Sequence, residues 1–294
     1  MASANPCPVL AYDVGGSHIA AALCFPGDYR LGAVASAPHP AEQTPEAFTL
    51  LLHTLGAEAA GGAAEVAGAE LAFPGPFDFS AGISHMRHKL PYLYGFDLRA
   101  ALAAHFGWEP ARIRFLNDAQ AFLLGEIGAG AARGAGRAVG ITLGTGIGSA
   151  FAVGGRIVTS GPGVAPGGEI WNLPFAVGIV EDAVSSRSIR KAYELRTGQV
   201  REVAELARGA AADEAARDSF SEFGRQLGLA MRQTLTEFAP DVVVLGGGIC
   251  HSPQLFLPDA EKELEGLGFH LRISTLFERA ALVGAGVAWF HQFN

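Results

Sequence analysis

Short apolar runs cut off by glycine-rich turns alternate along this chain with longer stretches of helical character. Val9 to Tyr12, Ile19 to Phe25 and Leu31 to Ser36 read as three strands joined at Gly15-Gly16 and Pro26-Gly27-Asp28, an antiparallel meander. A helix from Pro45 to Ala60 follows, since Thr44 suits the N-cap and Pro45 the first helical position. A strand at Glu70 to Phe73, the stiff loop Pro74-Gly75-Pro76, a helix at Leu98 to Phe106 and a strand at Ile113 to Leu116 come next.

The second half repeats that order. Ala138 to Leu143, Ser149 to Val153 and Arg156 to Thr159 form another turn-linked series, broken at Gly144 to Gly148 and Gly154-Gly155. Helices are then predicted over Val180 to Leu195, Val200 to Arg208 and Ala212 to Phe238. The buried strand Asp241 to Leu245 stops at Gly246-Gly247-Gly248, and a strand at Arg272 to Thr275 and a helix at Ala280 to Phe290 close the chain. Two meanders that each open on a glycine turn imply a duplicated α/β unit with a cleft between the halves. The Ala/Gly run from Gly56 to Gly68 reads as a loose surface loop, and Gly128 to Arg137 as the connection at a hinge.

Composition narrows the class. With 49% hydrophobic and 17% charged residues and 39 glycines in 294, the chain is globular and rich in tight turns. An excess of 29 acidic over 21 basic residues, net −8, opposes binding to nucleic acid or to an anionic membrane. Met1 to Leu10 lacks the basic start and apolar run of a signal peptide, and no apolar run reaches the roughly 18 residues of a membrane span. Cys7, Cys24 and Cys250 are scattered and odd in number, which fits a reducing cytoplasm.

Chemistry concentrates at the turns. Asp13 ends a strand before Gly15-Gly16-Ser17, where its carboxylate would face a cation held by phosphates; capping the turn is its plainer role. Gly144, Thr145 and Gly146 offer unencumbered N–H groups and a hydroxyl, although glycine hairpins are common in strand proteins. Neither turn is a Walker A loop, and the Rossmann fingerprint fits poorly because a strand follows Gly148. Asp118 emerges where a strand meets a helix, at the carboxyl edge of a sheet, where it can act as a base while Asn117 caps. Donors for phosphates, a carboxylate for a divalent cation and a base are the parts phosphoryl transfer requires.

The combination resembles a known family. Asp-x-Gly-Gly-Ser from Asp13, Pro-Gly-Pro-x-Asp from Pro74, Asn117-Asp118-Ala119 with Gly125-Glu126, Leu143 to Gly148, Gly168-Glu169-Ile170 and Leu245-Gly246-Gly247 occur in the order seen in ROK-family sugar kinases. The resemblance spans nearly the whole chain. It implies an actin-like ATPase fold of the ribonuclease H-like type, with two α/β domains: residues 1–118 plus the helix 280–294, and residues 119–279. It further implies Asp118 as the base toward the sugar hydroxyl on C6, with Gly75, Asn117, Glu169, Asn172 and Glu181 at the sugar. Asp13 with Gly15, Gly16 and Ser17 would manage Mg²⁺ and phosphate, Gly144 to Gly146 the opposite phosphate face, and Gly246 to Gly248 the adenosine of ATP.

Departures from the family pattern are confined. Asn172 stands where a zinc-binding histidine is usual, Trp171 precedes it, and Leu173 to Ile179 carries no cysteine, so no structural zinc is expected. Lys89 precedes Leu90-Pro91 where asparagine is usual. The expected activity is a cytoplasmic, homodimeric, ATP- and Mg²⁺-dependent glucokinase acting on a small-molecule sugar and nucleotide. Alternatives are a kinase for mannose, fructose, N-acetylglucosamine or N-acetylmannosamine, a polyphosphate-using glucokinase, or a non-catalytic sugar-binding regulator. The family's repressors carry an N-terminal helix-turn-helix domain, for which a first strand at Val9 leaves no room. His85 and His88 read as a solvated pair, Arg187, Arg190, Lys191 and Arg196 as a solvated helix face, and Phe73, Phe77, Phe79, Tyr92, Tyr94 and Phe96 as packing aromatics.

Overall fold

A computed structural model describes residues 7–40, 42–63 and 65–291. The first six residues and the last three of the expected smaller domain therefore lie outside the described residues. The described chain forms two compact units, residues 7–130 with 278–291, and residues 131–277.

In the first unit, β1 (Val9–Val14), β2 (His18–Cys24) and β3 (Leu31–Pro38) form the expected meander. Helix α1 (Pro45–Ala60) keeps its predicted limits because both ends are capped. Thr44 Oγ1 accepts from the Ala47 N–H at 3.2 Å, and Gly61 at φ 56° returns its N–H to Ala57 and Glu58. Then come β4 (Ala69–Phe73), the two-residue strands β5 (Phe77–Asp78) and β6 (Ile83–Ser84), α2 (Leu98–Phe106), β7 (Ile113–Asn117) and α3 (Asp118–Ala129). The sheet order is β3-β2-β1-β4-β7, with β1, β4 and β7 parallel.

The run Gly56 to Gly68 is a loop only beyond Gly61. Its first residues are the last turns of α1, and a Cβ on Gly56 would strike the Tyr12 hydroxyl and lie 2.9 Å from Phe106 Cζ. Glycine lets helix and sheet approach there, and the Tyr12 hydroxyl donates to the Leu52 carbonyl at 3.0 Å.

The second unit contains β8 (Arg137–Leu143), β9 (Ile147–Val153), β10 (Arg156–Val158), the small hairpin β11 (Pro174–Phe175) and β12 (Gly178–Ile179), and α4 (Val180–Ala183). Helices α5 (Ser186–Thr197), α6 (Val203–Gly209) and α7 (Glu214–Leu235), strand β13 (Val242–Gly246), α8 (Leu257–Glu263) and β14 (His270–Ile273) complete it. The expected single helix Val180 to Leu195 is two, because Val184 leaves the helical region and Ser185 is extended. The sheet order β10-β9-β8-β13-β14 repeats that of the first unit, an antiparallel meander followed by two parallel strands.

Helix α9 (Ala280–His291) returns to the first unit. Ala280 through Ala288 are all buried, as an apolar helix without a polar stripe must be. It packs along α3, where Gly125 and Gly284 let the backbones nearly touch: a Cβ on Gly284 would lie 2.6 Å from the Ala121 carbonyl carbon. This contact places α3 in the first unit, so the chain divides at Gly130 rather than after Asp118. Among the described residues no helix is long and apolar enough to cross a membrane.

Candidate active site

The parallel register of the first sheet aligns the carboxyl ends of β1, β4 and β7. Asp13 lies beside Ala72, and Phe73 beside Asn117, so Asp13, the Pro74-Gly75-Pro76 turn and Asn117-Asp118 share one sheet edge. Ligands of α/β sheets bind at such edges. Asn117 caps α3, its Oδ1 accepting from the N–H groups of Ala119 at 3.0 Å and Gln120 at 3.2 Å. Asp118 follows as the first helical residue, and its Oδ1 also accepts from Ala119 at 2.9 Å. Capping thus fixes the asparagine side chain by its oxygen and leaves its NH₂ group to donate.

Asp13 sits close enough to Asp118 for the two charges to oppose each other. Burial first, and the Asp118 charge second, push the Asp13 carboxyl up to about 7. The turn after it is held by the Gly15 N–H donating to the His18 carbonyl at 2.9 Å, and the Gly15 carbonyl lies 2.9 Å from His39 Nε2. A Cβ on Gly16 or Gly75 would meet nothing within 4 Å, so the backbone there is open to a ligand. Lys89, His85 and His88 are exposed, and the two histidines lie in a loop, not on a helix. Phe73, Phe77, Phe79 and Phe115 form one ring cluster beneath this edge, so those aromatics pack the core.

In the second unit, the Gly144–Gly148 turn joins β8 to β9. The Gly144 N–H donates to the Gly146 carbonyl at 3.0 Å, and the Ser186 N–H at the start of α5 donates to the Gly144 carbonyl at 2.8 Å. Glu181 braces the turn: its Oε2 accepts from the Ile147 N–H at 3.3 Å, and a Cβ on Gly146 would collide with the same carboxylate. Thr145 is exposed, and a Cβ on Gly144 would enter open space. Register pairs Gly246 with Thr142, which sets Gly246–Gly248 beside this turn. Gly247 is glycine for two reasons, a φ of 87° and a Cβ position 2.9 Å from Leu143 N.

Glu169, Trp171 and Asn172 are exposed on a segment anchored by buried Ile170. Ser149 Oγ accepts from the Ile170 N–H at 3.0 Å and donates to the Gly168 carbonyl at 2.8 Å. The Trp171 carbonyl accepts from the Glu181 N–H at 3.0 Å, which ties this segment to the glycine turn. The candidate residues therefore gather into one cluster in each unit.

A family model described as the ROK family matches residues 9–269. The chain belongs to the ROK family. The glucokinase of Thermotoga maritima is 28% identical over 245 residues, 72% of this chain and 75% of that protein. A ROK hexokinase from Thermus thermophilus shares 27% identity with a TM-score of 0.80, over 97% of this chain and 99% of that one. A ROK glucokinase from Streptomyces griseus, solved in complex with glucose and AMPPNP, has the same fold at 22% identity, with a TM-score of 0.79 over 95% and 98% of the two chains. The architecture is the actin-like ATPase fold these ROK structures share.

The residues present fit a nucleotide phosphate chain with its magnesium ion. Asp13 and Asp118 repel each other, which a cation relieves, and Mg²⁺ needs only one or two carboxylates when phosphates complete its shell. The open Cβ positions at Gly16, Gly144 and Gly248 are cradles that any larger residue would fill. Two features escaped sequence reasoning. Arg187 is not merely a solvated cation, since its Nη2 donates to Glu181 Oε1 at 3.0 Å, and Arg190 pairs with Glu202 at 3.4 Å. The Trp171 indole N–H donates to Glu169 Oε2 at 2.9 Å. The break at Ser185 hides the first of these, since Arg187 and Glu181 are not on one helix; nothing in local sequence signals the second.

Proposed function

We propose that this ROK-family sugar kinase transfers the terminal phosphoryl group of ATP to the C6 hydroxyl of glucose, with Asp118 as general base. The observation that carries the reading is the Asp118 carboxylate at the carboxyl edge of the first sheet, fixed at the start of α3 and facing Asp13. Asp118 takes the proton of the attacking hydroxyl as the new O–P bond forms and the bond to the departing ADP breaks. Proton removal in the transition state is worth about 10²- to 10⁴-fold.

Asp13 and the phosphates are the groups that would hold Mg²⁺, which when bound neutralises charge on the transferred group. The turns Gly15, Gly16 and Ser17, and Gly144 to Gly146, are assigned to phosphate, with donors drawn from the N–H groups other than those of Gly15 and Gly144, which are bonded within their turns, and Gly246 to Gly248 are assigned to the adenosine. Gly75, Asn117, Glu169, Asn172 and Glu181 are assigned to the sugar. Each carboxylate oxygen keeps a lone pair beyond the bonds it makes in the protein. A site that pairs several hydroxyls discriminates sharply against an acceptor lacking one.

A coupled ADP-release assay over glucose, mannose, fructose, N-acetylglucosamine and N-acetylmannosamine tests the reading, with ATP and polyphosphate as donors. Glucose with ATP is expected to give the highest kcat/KM. Asp118→Asn is expected to bind sugar but lose at least about 10²-fold in kcat. A variant as active as the parent removes Asp118 from the mechanism, and turnover with polyphosphate alone replaces the donor.

A further inference from the structure

Trp171 is a large aromatic residue left 39% exposed on the segment that carries Glu169. Its main chain is anchored on both sides: the residue before it is buried and bonded to Ser149, and its own carbonyl accepts from Glu181. What projects is the indole, whose N–H reaches back two residues to Glu169 Oε2 at 2.9 Å. Glu169 is itself exposed, and an exposed glutamate left alone spreads over many rotamers that a ligand must then order at an entropic cost. A rigid indole donor removes that freedom beforehand. Glu169 Oε1 takes no hydrogen bond from any other described residue, so the carboxylate is held by one oxygen and presents the other.

We propose that Trp171 is a positioning residue that sets acceptor specificity. Its indole N–H orients the Glu169 carboxylate so that Oε1 accepts from a ring hydroxyl of a hexopyranose. The inference rests on the sugar-kinase reading and adds to it a residue that touches Glu169 rather than the phosphates. Its effect belongs to acceptor binding: KM for the sugar should move, while kcat and KM for ATP should not.

The test compares the parent, Trp171→Phe, Glu169→Gln and the double variant. Calorimetric titration with glucose, mannose and N-acetylglucosamine gives acceptor affinity without turnover, and steady-state kinetics follow on the same proteins. Trp171→Phe keeps the ring and loses the donor, and is expected to weaken glucose binding and raise its KM about tenfold, equivalent to about 1.4 kcal/mol. In the Glu169→Gln background the same change is expected to add less than about twofold, because neighbours that act through one contact are not additive. The melting temperature should not move. If Trp171→Phe matches the parent toward all three sugars, or if the two losses simply multiply, the proposal is wrong while the kinase assignment stands. If the parent neither binds nor phosphorylates any of the three sugars, the assignment and the proposal fail together.

Discussion

Replacing Gly284 by alanine tests whether the fold and the proposed base are mechanically linked. A Cβ at that position would lie 2.6 Å from the Ala121 carbonyl carbon and 2.8 Å from the Gly125 N, and it would overlap the Ala121 oxygen. Ordinary contact is 3.4–4 Å, and the obstructing atoms are helix backbone, which cannot rotate aside as a side chain can. The helices α3 and α9 must therefore separate by about 1 Å, and overpacking of this kind costs about 3 kcal/mol, the upper part of its usual range. For a domain of this size that lowers the melting temperature by roughly 6–12 °C. Because α3 begins at Asp118, its displacement also moves the carboxylate, and a shift of about 1 Å in a reacting group can cost 10²-fold in rate. Thermal and urea unfolding with steady-state kinetics measure both effects, and Gly209→Ala serves as the control, since a Cβ there meets nothing within 4 Å. That control should change stability by no more than about 1 kcal/mol, in the favourable direction. A Gly284→Ala protein that melts within 2 °C of the parent, or one that is destabilised with kcat unchanged, refutes the reasoning.

Arg187→Ala should leave stability nearly unchanged, because an exposed ion pair contributes at most about 1 kcal/mol. It should raise KM for ATP a few-fold by freeing the Glu181 brace under the Gly144–Gly148 turn; an unchanged KM removes Arg187 from the phosphate side. The pH dependence of stability should carry the signature of Asp13. Its folded carboxyl titrates at about 7, above its ordinary value, so the folded protein holds a proton that the unfolded chain has lost. Stability from this group is complete below about pH 4, falls as pH rises through 7 and is level above that. Asp13→Asn should abolish that fall, and melting curves of parent and variant that run parallel from pH 4 to 8 contradict it.

Much of this fold is legible in the sequence because its elements carry local punctuation. Thr44-Pro45 and Gly61 fix α1, and Gly107 stops α2, its φ of 65° ending the helix after Phe106. Glycine also follows β1, β8 and β9, at Gly15, Gly144 and Gly154. What local signals cannot carry is distance. Gly56, Gly125 and Gly284 look like weak helix residues, yet they are the points where other backbones come close. Val180 to Leu195 reads as one helix with Arg187 on a solvated face, whereas the extended Ser185 breaks it and Arg187 pairs with Glu181. Asp13, the glycine turns and Asn117-Asp118 were readable as candidates because they stand at strand ends, where α/β sheets bind ligands. The Trp171 bond to Glu169 was not, since it depends on how Ser149 pins the intervening residue.

The two units repeat one strand order, and this has a consequence for how chemistry is divided along the chain. In each, the glycine turn leaves the central strand of the sheet, two residues after Asp13 in one copy and two after Thr142 in the other. The neighbouring parallel strand then runs into the turn at Gly75 in one copy and into Gly246 to Gly248 in the other. Matching positions of a single wiring plan have thus been given opposite electrical characters: carboxylates at the sheet edge of the first copy, bare amide donors at that of the second. A duplicated fold needs only such edge substitutions, with its interior left alone, to carry acid at one sheet edge and hydrogen-bond donors at the other.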